Sequence, residues 1–346
     1  MSTEPRPKRA TLYDVAEQSG VSYQTVSRVI NESPHVSSNT RRRVLQAIRD
    51  LDYQPNKAAQ ALVTRRSSML ELITFGAAYY GPTQMMISVE RAAKALGYRL
   101  MFSNIEDANL DEVQNVLDSL SSRLVDGLII ITPVRRPIYD DLTQASQNVP
   151  FIQIGVQVGA TTPSVVIDQH YGSQLATQHL IDLGHREIAE ISGPLYWHDT
   201  IDWYDAMARH ESWLATLAAN QLAPKASVTG DWSAASGYSA AQSLLHNGLT
   251  FSALVVANDQ MALGAMRAFR EHGLSVPGDV SIVGFDDIPE AAYFEPPLTT
   301  VRQDFEALGK HSVEYLVEKI KNPEMPSYQQ VLYPIFVERQ STRALR

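Results

Sequence analysis

Residues 11–31 read TLYDVAEQSGVSYQTVSRVIN, and residues 53–62 read YQPNKAAQAL. In the first stretch Leu12, Val15 and Ala16 recur at helical spacing and share one face. Gly20 ends that helix, because glycine takes the left-handed cap conformation without a Cβ clash. Ser22 is an N-cap for a second helix, with Val26, Val29 and Ile30 as its buried stripe. Ser37 or Ser38 caps a third, in which Val44, Ala47, Ile48 and Leu51 keep the same period. Helix, glycine turn, helix is the helix-turn-helix pattern. Its second helix presents Tyr23, Gln24 and Thr25 from the first turn, the end that reaches base edges in a major groove. Glutamine pairs bidentately with adenine, while tyrosine and threonine offer hydroxyls and apolar contact to a thymine methyl. A small helical bundle with solvated faces is the alternative. Charge separates the two. Residues 1–66 carry 11 Lys and Arg against 6 Asp and Glu, a net of +5, whereas the 346-residue chain is −9, which leaves −14 on the remainder. A basic head on an acidic body is the asymmetry expected when one end meets phosphate.

The length exceeds one small core and suits a head plus two subdomains. The expected division is a head over 1–55, a hinge helix and linker over 56–68, and a ligand-binding and dimerisation region over 69–346. With no cysteine there are no disulfides or thiolate metal sites, which suits a reducing cytoplasm; no metal and no cofactor are expected. The N-terminus is polar and basic, so no export signal is expected, and no apolar run reaches the length of a membrane span. From residue 69 short apolar runs alternate with amphipathic stretches. Strands are expected over 70–74, 99–103, 127–131, 151–154, 164–167, 188–192, 253–257 and 281–285. Helices are expected over 85–96, 110–123, 171–183, 209–220, 234–247 and 259–272. This alternation argues for parallel sheets covered by helices on both faces, a Rossmann-like architecture. Ligands in such sheets sit beyond the carboxyl ends of strands. There the sequence puts Tyr79, Tyr80 and Pro82, then Asp168, then Asn258 and Asp259, then Asp286 and Asp287, with Trp232 after a loop. Carboxylates and amides pair with hydroxyls while an aromatic face covers the apolar side of a sugar ring. Each residue also has an ordinary reading: Asn258 or Asp286 as a helix cap, Trp232 as core.

Five blocks carry a resemblance: 11–31, 53–62, GDWSAASG at 230–237, VANDQMALGAMRAF at 256–269 and SIVGFDDIPEAAYFEPPLTTVRQDFEALG at 281–309. Together they make the chain resemble the LacI/GalR family of bacterial transcription regulators over nearly its whole length. The resemblance implies an all-α helix-turn-helix head with a hinge helix, followed by a periplasmic-binding-protein-like α/β core of two Rossmann-like lobes. It implies double-stranded operator DNA and a second copy of the chain as partners, since two heads on a two-fold axis read a pseudo-palindrome. Tyr23 and Gln24 would touch bases, helped by Thr25, Ser27, Arg28, Asn31 and His35. A lac-type half-site is expected. Asn56, Ala59 and Leu62 would lie on a hinge helix too short to be stable alone. Leu62 stands where relatives insert a leucine wedge that kinks DNA; its plainer reading is an apolar linker residue.

The same resemblance puts a sugar or glycoside effector between the lobes. Arg209, Trp232, Asn258 and Asp286, with Asp168, would make polar and ring contacts. Phe75, Tyr79, Pro82, Met85 and Phe305 would form the apolar wall. Three departures bear on this. Gly155 stands where a sugar-binding member carries an aspartate. Phe75 and Tyr79 are bulkier than their counterparts. An insertion of about six residues fills Tyr196–Tyr204 with aromatic rings, either a stacking platform or a surface loop. The sequence ends at Arg346 without a leucine heptad, so a dimer is expected. Induction and corepression both remain open, with induction by sugar the favoured reading.

Two rival classes fit less well. A periplasmic sugar-binding protein shares a two-lobed core but not residues 11–62. An enzyme lacks its signature: Gly273–Asp279 imitates a phosphate loop with Asp where Lys is required, and no HExxH or GxSxG occurs. The pair Asp286–Asp287 reads as a ligand contact beside a cap or solvated neighbour.

Overall fold

The computed structural model describes residues 10–31, 33–54, 66–75, 77–105, 125–131, 149–197, 201–246 and 250–345. The chain divides into two compact units, residues 1–67 and 68–346. No helix among the described residues is long and apolar enough to cross a membrane.

The first unit holds three helices, α1 (Leu12–Ser19), α2 (Tyr23–Ile30) and α3 (Ser38–Asp50). Each begins at a hydroxyl cap. Thr11 and Asp14 form a reciprocal capping box, Ser22 accepts from Thr25 N–H, and Ser37 rather than Ser38 accepts from Thr40 N–H. Gly20 sits at φ 63°, the left-handed cap that turns α1 into α2. Val15, Ala16, Val26, Val29, Val44 and Ala47 close the core.

The second unit contains two parallel sheets. The first lobe has strands β1 (Met69–Phe75), β2 (Arg99–Ile105), β3 (Gly127–Ile131), β4 (Phe151–Ile154) and β5 (Ser164–Ile167), with a late strand (Gln329–Leu332) at the edge beside β5. Two helices, α4 (Tyr80–Ala95) and a C-terminal one (Phe305–Lys321), pack on it and on each other through Met85, Val89, Leu308 and Val313. The second lobe has β6 (Ile188–Ser192), then Ser227–Thr229, Ala253–Val256 and Ser281–Val283, all parallel. Its helices are α5 (Gln169–Asp182), α6 (Tyr204–Ala219), α7 (Ala234–His246) and α8 (Asp259–Glu271). The chain passes between the lobes near residues 168, 303 and 333. Helices α7 and α8 touch closely because Gly237 and Gly264 carry no Cβ: one added at Gly237 would lie 2.1 Å from Met261 O.

Boundaries shift for local reasons. The strand expected to run to Phe285 stops at Val283, since Asp286 and Asp287 take φ of 109° and 54° and turn the chain away. Helix α4 starts at Tyr80 instead of 85, because Pro82 is tolerated in a first turn. Helix α6 starts at Tyr204 instead of 209, so the last residue of the insertion is its first. The C-terminal helix, capped by Asp304, was not expected from the sequence. The expected helix at 110–123 and the hinge residues Asn56, Ala59 and Leu62 lie outside the described residues.

Candidate DNA-reading face and ligand cleft

On α2 the core residues Val26 and Val29 fix which side faces out. Tyr23, Gln24, Arg28 and Asn31 are exposed, as is His35 beyond the helix. Thr25 and Ser27 are half-buried. Thr25 Oγ1 shares a 2.9 Å hydrogen bond with Ser22 Oγ, and Ser27 Oγ accepts from Asn31 Nδ2 at 3.4 Å. Tyr13 of α1 stacks on Tyr23, centroids 5.1 Å apart and planes at 26°. The reading residues thus stand on a packed, capped helix.

The cleft between the lobes measures about 290 Å³. The first lobe contributes its apolar side, Tyr79, Tyr80, Gly81 and Pro82, from the start of α4. The second lobe contributes the polar side, with Asp205, Asp231, Asn258, Gln260 and Asp286. Trp203 and Trp232 complete the wall, 6.0 Å apart, and Tyr79 meets Trp203 edge-on at 5.2 Å.

Arg209 lies behind this lining and organises it. It is buried, donates Nε–H to Gln169 Oε1 at 2.9 Å and an Nη to Ala257 O at 2.5 Å, and its other Nη stands 3.7 Å from Asp286 Oδ1. Its guanidinium covers the Phe285 ring at 3.8 Å. Asp286 also accepts from Gln303 Nε2 at 2.7 Å. Burial pushes the Asp286 carboxyl up to about 6, with Arg209 and Gln303 pulling the other way. Burial raises Asp205 to about 6 as well, opposed only by the charge of Arg209. Asn258 caps α8 through Met261 N–H at 2.9 Å and donates to Trp232 O at 3.0 Å. The neighbouring Asp287 is clamped by Arg302 and Arg339, which ties the turn to the strand Thr300–Arg302 and to the C-terminal segment.

Of the residues singled out in the sequence, Tyr79, Pro82, Trp232, Asn258 and Asp286 line the cleft. Arg209 is one layer back. Asp168 is not in the lining; it caps α5 through Tyr171 N–H at 2.9 Å. Met85 packs in the core of the first lobe. Phe305 sits behind Tyr80 at 6.1 Å and also belongs to that core, so neither it nor Met85 reaches the lining. The side chain of Phe75 lies outside the described residues. Gly155 has φ 84°, in the left-handed region that favours glycine over a side chain. The insertion is not a surface loop at its second end: Trp203 and Tyr204 are 5% and 3% exposed, and Tyr204 Oη accepts from Val158 N–H of the opposite lobe at 3.4 Å. Asp205 was missed. Its signal was the four-residue spacing from Arg209, which puts both on one helix face.

Residues 11–56 match the profile of the bacterial regulatory proteins of the lacI family, and residues 177–342 match that of a periplasmic binding protein-like domain. The lactose operon repressor of Escherichia coli strain K12 is 38% identical over 338 residues, 97% of this chain and 92% of the repressor. The chain belongs to the lacI family. Among solved lacI-type structures, a lac repressor dimer bound to operator and the anti-inducer ONPF superposes with TM-score 0.89 at 38% identity, covering 97% of this chain and all of that one. A complex of the transcriptional regulator CelR with cellobiose superposes with TM-score 0.70 at 31% identity, covering 96% and 100%. The head and two-lobed α/β core expected from the sequence are those of the family.

Proposed function

We propose that this lacI-family chain is a transcriptional repressor that binds a pseudo-palindromic operator as a homodimer and is released by a sugar or glycoside held between its lobes. The observation that carries the ligand reading is that Tyr79, Trp203 and Trp232 line the same cleft as Asp205, Asn258 and Asp286. Aromatic faces cover the apolar side of a pyranose while carboxylates and amides take its hydroxyls. The lac repressor and the cellobiose-bound regulator, similar over nearly the whole chain, support both halves of the proposal. Tyr23 and Gln24 read bases; Thr25, Ser27, Arg28, Asn31 and His35 set register, with Asn56, Ala59 and Leu62 on the hinge. The chain acts in the cytoplasm and catalyses no reaction of its own; incubation with nitrophenyl glycosides releases no nitrophenol.

Control follows from linkage. A ligand that favours one arrangement of the lobes over another shifts their balance only by its difference in affinity for the two. Operator DNA then weakens ligand binding by the factor by which ligand weakens operator binding. Because Trp203 and Trp232 line the cleft, intrinsic fluorescence reports occupancy. Titration with mono- and disaccharides is expected to change emission and release heat. Silence in both across the panel overturns the sugar reading. Sedimentation is expected to give a dimer at micromolar concentration, and a tetramer contradicts it.

A further inference from the structure

Two cleft groups singled out by the sequence already have partners. Asn258 caps α8 and donates to Trp232 O and Gln260 Oε1, both at 3.0 Å. Asp286 is held by Gln303 and faces Arg209. Two others have none. The Asp205 carboxylate, at the start of α6, accepts no hydrogen bond from any described residue; the charge of Arg209 one turn on favours its ionised form, and it repels the Asp286 carboxylate. The Trp232 Nε1–H is buried and donates to nothing among the described residues. A carboxylate only accepts and an indole N–H only donates, so the pair asks for an occupant with both kinds of group. An ammonium supplies donors alone. A carboxylate or phosphate supplies acceptors alone and meets the like charges of Asp205, Asp231 and Asp286. A hydroxylated ring supplies both, and its apolar face suits Tyr79 and Trp203.

Resting on the sugar-cleft reading above, we propose that Asp205 is the anchor of the ligand's polar face. It accepts from two adjacent hydroxyls while Trp232 Nε1–H donates to a ring or hydroxyl oxygen. Asn258 and Asp286 then act chiefly by holding the shape of the wall. The ligand class is an uncharged polyol ring with vicinal hydroxyls, and an analogue lacking one of them leaves a carboxylate oxygen of the filled cleft unpaired and binds poorly. Ligand hydroxyls stabilise the ionised carboxylate, so binding below about pH 6 expels a proton and affinity rises with pH. The charged and titratable groups sharing the cleft with Asp205 are Arg209 behind it, Asp286, Asp231 and the hydroxyls of Tyr79 and Tyr80. Asp286 titrates in the same range, so removing Asp205 lessens the pH dependence without abolishing it.

The test uses the full chain, with lactose, cellobiose and their parent hexoses as probes. Calorimetric and fluorescence titrations of wild type and Asp205→Asn are run from about pH 5 to pH 8, beside thermal unfolding without ligand. Wild-type affinity for the probe that binds is expected to fall about tenfold from neutral pH to pH 5. Asp205→Asn is expected to weaken binding at neutral pH at least about tenfold and to flatten the profile. Without ligand the same variant is expected to melt higher than wild type at neutral pH, because an unpaired charge is gone. Wild-type affinity with a wild-type pH profile in the variant overturns the assignment while leaving the sugar cleft intact. So does a lower melting temperature, which means the carboxylate already had a partner. Binding of no probe overturns the sugar cleft and this assignment together.

Discussion

Replacing Arg209 by methionine tests how the cleft is held. The methionine keeps much of the volume and removes the charge. Three losses follow. Gln169 Oε1 and Ala257 O lose their donor, at about 1–3 kcal/mol in all once partial rearrangement is allowed. Asp286, 7% exposed, loses the cation 3.7 Å away, worth about 4 kcal/mol at an effective dielectric near 20. That last loss is capped, because the carboxyl can take a proton. With its pKa already about 6, protonation at pH 7.5 costs only about 2 kcal/mol. The expected destabilisation is therefore about 4 kcal/mol at pH 7.5, within the range for breaking a buried ion pair. In a core of this size that lowers the melting temperature by roughly 10 °C. The pH dependence has a definite sign. Asp286 is raised in the fold, so its ionised form weakens the native state, and stability falls as pH climbs from 3.8 through about 6. Arg209→Met raises the carboxyl further and extends that fall to higher pH. At pH 5, where wild-type Asp286 is already largely neutral, the variant loses only about 2 kcal/mol. Urea unfolding at both pH values reads this directly, and Asp286→Asn in the variant background restores the pH-dependent part. A loss below about 0.5 kcal/mol, or one equal at both pH values, means that Arg209 does not hold Asp286 in its ionised form.

In the head, Gln24→Ala is expected to cost about 1–3 kcal/mol on the preferred operator and to relax choice at one base. Arg28→Ala instead weakens all sequences alike and lowers the salt slope by about one; salt-dependent anisotropy separates the two. His210 donates to the buried Glu190 at 2.6 Å, and that hydrogen bond raises the imidazole above its ordinary value. Its stabilisation is full below about pH 6.5 and lost as pH rises through the folded value, so His210→Gln costs about 1 kcal/mol at pH 6 and little at pH 9 by urea unfolding. Gly237→Ala forces a Cβ against Met261 O at 2.1 Å and is expected to cost about 3 kcal/mol in urea unfolding by prising α7 from α8.

Much of this molecule is legible in its sequence because its signals are local. Serine before an apolar stripe, Gly20 at a turn, and five-residue apolar runs such as Gly127–Ile131 each specify their element without long-range help. The C-terminal helix was hidden because its amphipathic face is fixed by α4, more than two hundred residues away. The site was half legible. Asn258 and Asp286 announce themselves by following strands, yet their hydrogen bonds turn inward, one to cap a helix and one to Gln303 and Arg209. Asp205 follows only the two-residue strand Ile201–Asp202, which no apolar run in the sequence announces. Its four-residue spacing from Arg209 puts the two on one helix face, but that reading needs the helix to begin at Tyr204 rather than 209. Met85 and Phe305 look like wall residues by resemblance, but Tyr79, Tyr80 and Trp203 are large enough to fill the wall and leave them in the core behind it.

The proposed repressor couples its DNA-reading head to the sugar cleft so that a bound sugar lowers operator affinity. Anisotropy of a labelled lac-type palindromic duplex, titrated with the dimer at fixed salt with and without lactose, cellobiose and their hexoses, tests it most directly. Tight binding alone and release by one of the sugars are expected. Tighter binding with sugar, or operator affinity unmoved by a sugar that demonstrably fills the cleft, contradicts it.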